Sequence, residues 1–204
     1  ISIIGRKNAG KTTLTVALAA EFARRGKRVM TLKHGSHSPA LDTEGTDSWR
    51  HFTEGRAERT VLSGEGGLVL FDRAPDAYDP LALVQRYLAD ADIVLVEGYK
   101  RAALPKIEVW RKGIPPGPIY DPERPEARHW VALVTDDRSL RSEALRVLQF
   151  GDTMWIQLLA LGALGAATAY GISSALGIRV EPKDVPAEVL RAAPPREPVA
   201  PPRV

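Results

Sequence analysis

The chain has 204 residues, 44% of them hydrophobic, no cysteine and a formal net charge of +3. That length holds one compact domain with a tail, or at most two small domains, and the apolar content suffices for a real core. The lack of cysteine excludes disulfides and thiolate metal sites. It admits a reducing compartment and, with no secretory signal ahead of the first strand, a cytoplasmic location is expected. The mild basicity suits anionic partners such as nucleotides, and no block of like charges is long enough to form a nucleic-acid arm.

The apolar run at residues 1–4 reads as a buried strand, bounded at once by Gly5-Arg6-Lys7-Asn8-Ala9-Gly10-Lys11-Thr12-Thr13. From Lys11 to Arg25 the apolar residues Leu14, Ala17, Leu18 and Phe22 recur at helical spacing, and Gly26 follows as a stop. Residues 28–33 form a second strand, so the chain opens with a βαβ unit and a parallel sheet. A helix is predicted over 45–56, entered near Thr46 or Asp47 and closed around Gly55. Two short strands, RTVLSG and GLVLFD, flank a Gly-rich turn. A helix over 79–91 carries proline in its first turn, and 92–99 is the most strand-like run, apolar on both faces like a central parallel strand. PKIEVW and WVALVT are two more strands, separated by a Pro-rich loop.

Gly5, Gly10, Lys11 and Thr12 fit the phosphate-loop pattern G-x-x-x-x-G-K-[ST]. The glycines let the backbone curl so that successive N–H groups point at phosphate oxygens. Lys11 supplies an ammonium for the β- and γ-phosphates, the Thr12 hydroxyl is placed to ligate Mg²⁺, and the helix start adds the positive end of its dipole. Arg6, Lys7, Asn8, Ala9 and Thr13 complete the nucleotide-binding loop. Such a site needs a carboxylate at the end of a neighbouring apolar strand, and Glu97, followed by Gly98, meets that need beside Thr12.

The blocks GRKNAGKTTL, TLKHGSH, GTDSWRH, ADIVLVEGYK and LPKIEVWR, in unbroken order over residues 1–137, resemble the molybdopterin-guanine dinucleotide biosynthesis adapter family of the MobB type. The resemblance implies a P-loop fold, GTP binding with weak hydrolysis and a homodimer. It also implies a supporting role beside the guanylyltransferase that joins GMP to molybdopterin. The family's Lys-His-x-x-His block maps onto Lys33, His34 and His37, its Asp-Ser block onto Asp47 and Ser48, and its Glu-Gly-aromatic-Lys block onto Glu97, Gly98, Tyr99 and Lys100.

Several residues keep two readings. His34 and His37, three apart after the second strand, suit an anion or pterin phosphate, a metal ion, or a plain solvent-facing loop. Asp47 is a cap or first-turn acid, or a switch-like contact to Mg²⁺ or to the attacking water. Lys100 and Arg101 neutralise a phosphate or are simply solvated. Asp136, at a strand end, is placed to accept the two N–H donors of guanine or to close a turn. No Asn-Lys-x-Asp run is present to fix guanine specificity.

Residues 153–178 carry no charge, and residues 181–204 contain seven prolines. The first segment is long enough to span a bilayer, with Trp155, Tyr170 and Arg179 near its ends, but Gly162, Gly165, Gly171 and Gly177 favour soluble helices packed on the domain or a partner. The second reads as a disordered tail by composition.

The fold expected is therefore a three-layer α/β P-loop NTPase domain over 1–150 with a mainly parallel sheet, an apolar helical segment over 151–180 and a Pro-rich tail over 181–204. The expected function is a slow GTPase acting as an accessory protein in molybdenum cofactor maturation. Lys11, Glu97 and Asp47 serve the chemistry, Thr12 and Glu97 hold Mg²⁺, and Lys33, His34, His37 and Lys100 face a second ligand, with molybdopterin possible. Two alternatives stand beside it. One is an ATP-dependent small-molecule kinase, for which Arg50, Arg56 and Arg59 are the nearest lid residues. The other is a metallochaperone GTPase working through His34 and His37.

Overall fold

The computed structural model describes residues 1–35, 42–73 and 79–150. The core is a six-stranded sheet in the order β2-β5-β1-β6-β7-β8, formed by β1 (Ser2–Gly5), β2 (Val29–Lys33), β5 (Ile93–Glu97), β6 (Lys106–Trp110), β7 (Trp130–Thr135) and β8 (Val147–Gln149). Every neighbouring pair in it is parallel. β1 pairs with β5 on one side and β6 on the other, and β5 and β6 are apolar and buried along most of their length, as central parallel strands must be.

Helix α1 (Lys11–Arg24) covers one sheet face. Its Leu14, Leu18 and Phe22, one helical stripe, are buried among Ile3, Leu95, Ile107, Val109 and Val134. The opposite face is held by two buried charged side chains of β6. Glu108, 1% exposed, accepts hydrogen bonds from the Ile119 amide at 2.5 Å, the Tyr120 amide at 2.8 Å and Trp130 Nε1 at 2.9 Å, and so ties the Pro-rich segment down. Lys106, 2% exposed, donates to the carbonyls of Ala102 at 2.5 Å and Leu104 at 3.1 Å. A 3₁₀ turn over Pro125–His129 closes this segment before β7.

The remaining elements are a short helix, a separate hairpin and a third helix. α2 (Asp47–Thr53) is capped by Thr46, whose hydroxyl accepts the Trp49 amide. β3 (Arg59–Gly64) and β4 (Gly67–Asp72) form an antiparallel two-stranded sheet. α3 (Pro80–Tyr87) is capped by Asp79 and linked to the hairpin through Asp72, which pairs with Arg86 at 3.1 Å and accepts the Tyr87 hydroxyl.

Two expectations need correcting. The helix predicted over 79–91 stops at Tyr87. Asp92 exchanges hydrogen bonds with Arg28, its amide donating at 2.8 Å and its carboxylate accepting at 2.7 Å. That draws the chain into β5 beside β2 before another helical turn forms. β8 was not predicted: three residues are too few for a periodicity, and it is held by pairing with Leu133 to Thr135 of β7. The helical segment at 151–180 and the tail at 181–204 lie outside the described residues.

Candidate functional site: a phosphate loop and an acidic strand end

The site lies beyond the carboxyl ends of β1, β2 and β5, where strands diverge to either side of β1. β1 ends at Gly5, whose φ of 151° and tight contact leave no room for a side chain: a Cβ there would meet the Val109 carbonyl oxygen at 2.3 Å. The loop turns again at Asn8, φ 62°, and Gly10, φ 104°. It then enters α1 with no side-chain cap and no acid in the first turn. The free amides of that turn and the helix dipole are thereby left to an anion. Lys11 Nζ lies across the loop and donates to the Arg6 carbonyl at 2.8 Å, while Arg6 Nε donates to the Gly117 carbonyl at 2.9 Å and fixes the loop to the Pro-rich segment.

Glu97 reaches this loop from the end of β5. It is 8% exposed, and its two carboxylate oxygens accept the Thr12 hydroxyl at 3.0 and 2.9 Å. Lys33 Nζ, from the end of β2, lies 3.5 Å from the same carboxylate. The residue after Glu97 is Gly98 at φ 103°, and Tyr99 follows at φ 51°, a left-handed conformation unusual for a bulky side chain. This double reversal sets the Tyr99 ring 4.8 Å from that of His34, whose amide donates to the Glu97 carbonyl at 2.9 Å. Burial lowers the pKa of Lys11. The Glu97 charge opposes that shift, and the neighbouring Lys100 and Lys33 add to it. Lys7, Lys11, Lys33, Lys100 and Arg101 against Glu97 and Asp79 give the described lining of the cleft a surplus of positive charge, which suits an anion.

Residues predicted from separate blocks thus meet in one cleft: Gly5, Lys7, Asn8, Gly10, Lys11, Thr12 and Thr13 of the loop with Lys33, His34, Glu97 and Lys100. A hydroxyl and a carboxylate within hydrogen-bond distance are the hard oxygen donors that Mg²⁺ takes, so this pair fits that ion. Asp47 is exposed in the first turn of α2, where Thr46 supplies the cap, and it does not line the cleft. Asp136 sits beyond the cleft lining, with the Lys112 amide donating to it at 2.8 Å and the Arg111 guanidinium at 3.4 Å. Arg111 in turn stands beside Gly10 and over the Phe150 ring at 4.4 Å, so Asp136 is one side chain removed from the loop. His37 lies outside the described residues. Arg50 pairs with Glu54, Arg59 pairs with Asp72, and neither they nor Arg56 line the cleft. Among the described residues no group of three acidic or histidine side chains is placed to hold a metal. The sequence did not single out Asp79 or Arg111, because only the folding of α3 and β6 brings them to this region.

A parallel sheet, a glycine-bounded loop entering an uncapped helix, and a strand-end carboxylate on the loop threonine define a domain of the P-loop NTPase fold. Residues 1–136 match the family described as Molybdopterin guanine dinucleotide synthesis protein B, MobB, and the chain belongs to that family. It is 34% identical over 113 residues to the molybdopterin-guanine dinucleotide biosynthesis adapter protein of Haemophilus influenzae, covering 55% of this chain, and 32% identical over 112 residues to the probable adapter protein of Bacillus subtilis, covering 53%. The match spans 63% of the length of each of these relatives. The fold is that of the crystal structure of Bacillus subtilis MobB, with a TM-score of 0.59 at 23% identity over 79% of this chain and 95% of that one. Among the described residues no helix is long and apolar enough to cross a membrane, and residues 153–178 lie outside them.

Proposed function

We propose that this chain is a GTP-binding adapter with weak GTPase activity in the biosynthesis of molybdopterin guanine dinucleotide, acting in the cytoplasm beside the molybdopterin guanylyltransferase. The observation that carries the reading is the Thr12–Glu97 pair set against the phosphate loop. The loop amides and Lys11 hold the phosphates, Thr12 and Glu97 hold Mg²⁺, and Mg²⁺ supplies charge neutralisation for the β- and γ-phosphates. Asp136, next to Arg111 at the loop's flank, accepts the guanine N–H donors, and Asp47 approaches the site when α2 is drawn toward a bound γ-phosphate. Lys33, His34, His37 and Lys100 face the anionic group of a second ligand, for which molybdopterin is the candidate that the family's name supports.

Slow turnover follows from what the cleft contains. Its described lining holds no glutamine to orient water, and its one arginine, Arg101, comes from the turn after β5 rather than from a partner in trans. In related chemistry such a missing trans element is worth roughly 10³–10⁵ in rate. Titration of GTP and ATP side by side, with and without Mg²⁺, tests the reading. GTP preference that requires Mg²⁺ supports it, and ATP preference with fast transfer to a small-molecule acceptor moves the chain to the kinase class.

A homodimer is part of the proposal. The hairpin β3–β4 leaves Val61, Leu62, Leu68 and Val69 between 48% and 69% exposed, more apolar surface than a two-stranded sheet keeps in water by itself. Sedimentation of the chain and of a Leu68→Ser, Val69→Ser variant tests it. The association is expected to weaken in the variant, and an unchanged dimer would place the contact elsewhere.

A further inference from the structure

The cleft is larger than one nucleotide fragment requires, and its two halves differ in chemistry. Its volume is about 1410 Å³, above the roughly 300–1,000 Å³ of a single-ligand pocket. The half around the loop is cationic. The other half is bounded by the start of α3, where Asp79, Pro80 and Leu81 join Tyr99 and the turn to Leu104 in the lining.

Among the described residues two carboxylates line this cleft, Glu97 and Asp79. Glu97 is engaged by Thr12 and Lys33. Asp79 Oδ1 accepts the Leu81 amide at 2.9 Å, and a carboxylate with one such bond retains acceptor capacity on both oxygens. Asp79 is exposed, so the cleft's solvent side is open to it. Its charge adds to burial in raising the pKa of the Tyr99 phenol, which places the two side chains in one neighbourhood. Tyr99 is also held in a left-handed conformation, at φ 51°, with its ring tilted against His34. Strain of that kind persists where the surroundings fix a side chain for a ligand. An acid, an aromatic ring and the Leu81 side chain are what a flat heterocycle with two adjacent N–H donors requires: one carboxylate takes both donors in parallel, and the ring and leucine flank its faces.

We propose that Asp79 reads the 2-amino-4-oxo edge of a heterocycle bound in the far half of the cleft, the edge shared by pterins and guanine, with Tyr99 and Leu81 against its faces. The assignment rests on the preceding reading of a second ligand in this cleft. The phosphate of such a ligand points toward Lys33 and Lys100, and the pterin is the expected source of the edge because the P-loop nucleotide has Asp136 beside its own loop.

Asp79→Asn isolates the chemistry. Asparagine caps a helix as well as aspartate, so the start of α3 is kept. It replaces one acceptor by a donor, which faces a ligand donor. Fluorescence titrations of the full chain, saturated with a non-hydrolysable GTP analogue, compare 6-carboxypterin with 6-carboxylumazine, whose ring carries an oxo group in place of the 2-amino group. A parallel series compares GTP with ITP, which lacks the guanine 2-amino group. The wild-type chain is expected to favour the pterin by about tenfold or more, and Asp79→Asn to abolish that preference while leaving the GTP/ITP ratio unchanged. Loss confined to the GTP/ITP ratio supports the same edge chemistry with guanine as its source. Equal ratios in wild type and variant in both series overturn the role of Asp79. If the wild-type chain binds GTP but neither heterocycle, the second-ligand reading itself falls and the pterin assignment with it.

Discussion

The Thr12 hydroxyl donates to both oxygens of the Glu97 carboxylate, at 3.0 and 2.9 Å, across 85 positions of sequence. One residue opens the helix after β1 and the other closes β5, and the parallel pairing of Ile3 with Glu97 brings the two strand ends level. The pair is therefore a consequence of sheet register. A slip of one residue would turn Glu97 to the other face of β5 and leave Thr12 without it.

Lys11→Ala is expected to weaken nucleoside triphosphate binding roughly 10- to 150-fold, the equivalent of one charge-assisted contact worth about 1.5–3 kcal/mol. The fold is expected to survive, because Lys11 Nζ bonds the Arg6 carbonyl within the loop and the side chain packs in no core cluster. Calorimetric titration with a circular dichroism control measures both. Unchanged affinity with an unchanged spectrum would remove Lys11 from the phosphate site.

Glu97→Gln separates binding from turnover. Glutamine retains an oxygen for the Thr12 hydroxyl, and Lys11 with the loop amides still holds the phosphates, so GTP affinity is expected to fall less than in Lys11→Ala. Hydrolysis is expected to be nearly lost, since Mg²⁺ loses its anionic ligand. The wild type itself is expected to turn over well below the ~1 s⁻¹ low end for kinases. A single-turnover assay decides it, and equal rates in the two proteins would dismiss Glu97 from the chemistry.

Gly5→Ala tests the fold at the loop. The added Cβ would lie 2.3 Å from the Val109 carbonyl oxygen at a φ that disfavours side chains, so strain and overpacking together cost roughly 2–6 kcal/mol. Gly66→Ala, with nothing within 4 Å of the new atom, is the control and is expected to change stability by no more than about 0.5 kcal/mol. Urea midpoints for the two variants measure the contrast. Similar midpoints would show that the β1–β6 contact yields to a side chain.

Lys106 makes stability rise with pH in an alkaline window. Burial brings its pKa down to about 8 from the ordinary 10.5, with Glu126 opposing. Between those values the unfolded chain holds a proton on this amine that the folded chain has released, and stability increases with pH wherever the unfolded state binds more protons. Below about pH 8 the amine is charged in both states, and its contribution is flat at its least favourable. Relative to Lys106→Met, the wild type is expected to gain stability from pH 8 to pH 10, measured by urea denaturation at several pH values. A constant difference across that range would show the ammonium is well accommodated by the Ala102 and Leu104 carbonyls.

The local signals in this chain were strong where one element carried them alone. The glycine spacing around Lys11, the helical stripe Leu14, Leu18 and Phe22, and the doubly apolar β5 each express a period or a backbone demand that neighbouring residues satisfy among themselves. The P-loop, the parallel sheet and the pairing of Glu97 with Thr12 were therefore legible before any coordinates. Other features depend on contacts between distant segments. The early end of α3 was set by Asp92 meeting Arg28, and β8 by its neighbour β7. Glu108 looked like an ordinary strand residue until the Pro-rich segment folded its amides onto it. Asp79 was only the first residue of the helix predicted over 79–91, and it became a wall of the cleft because α3 begins beside Tyr99. A sequence fixes what each stretch prefers to be through near-neighbour sterics and periodic burial, whereas which stretches share a cleft is decided by strand order and register, which no local pattern contains.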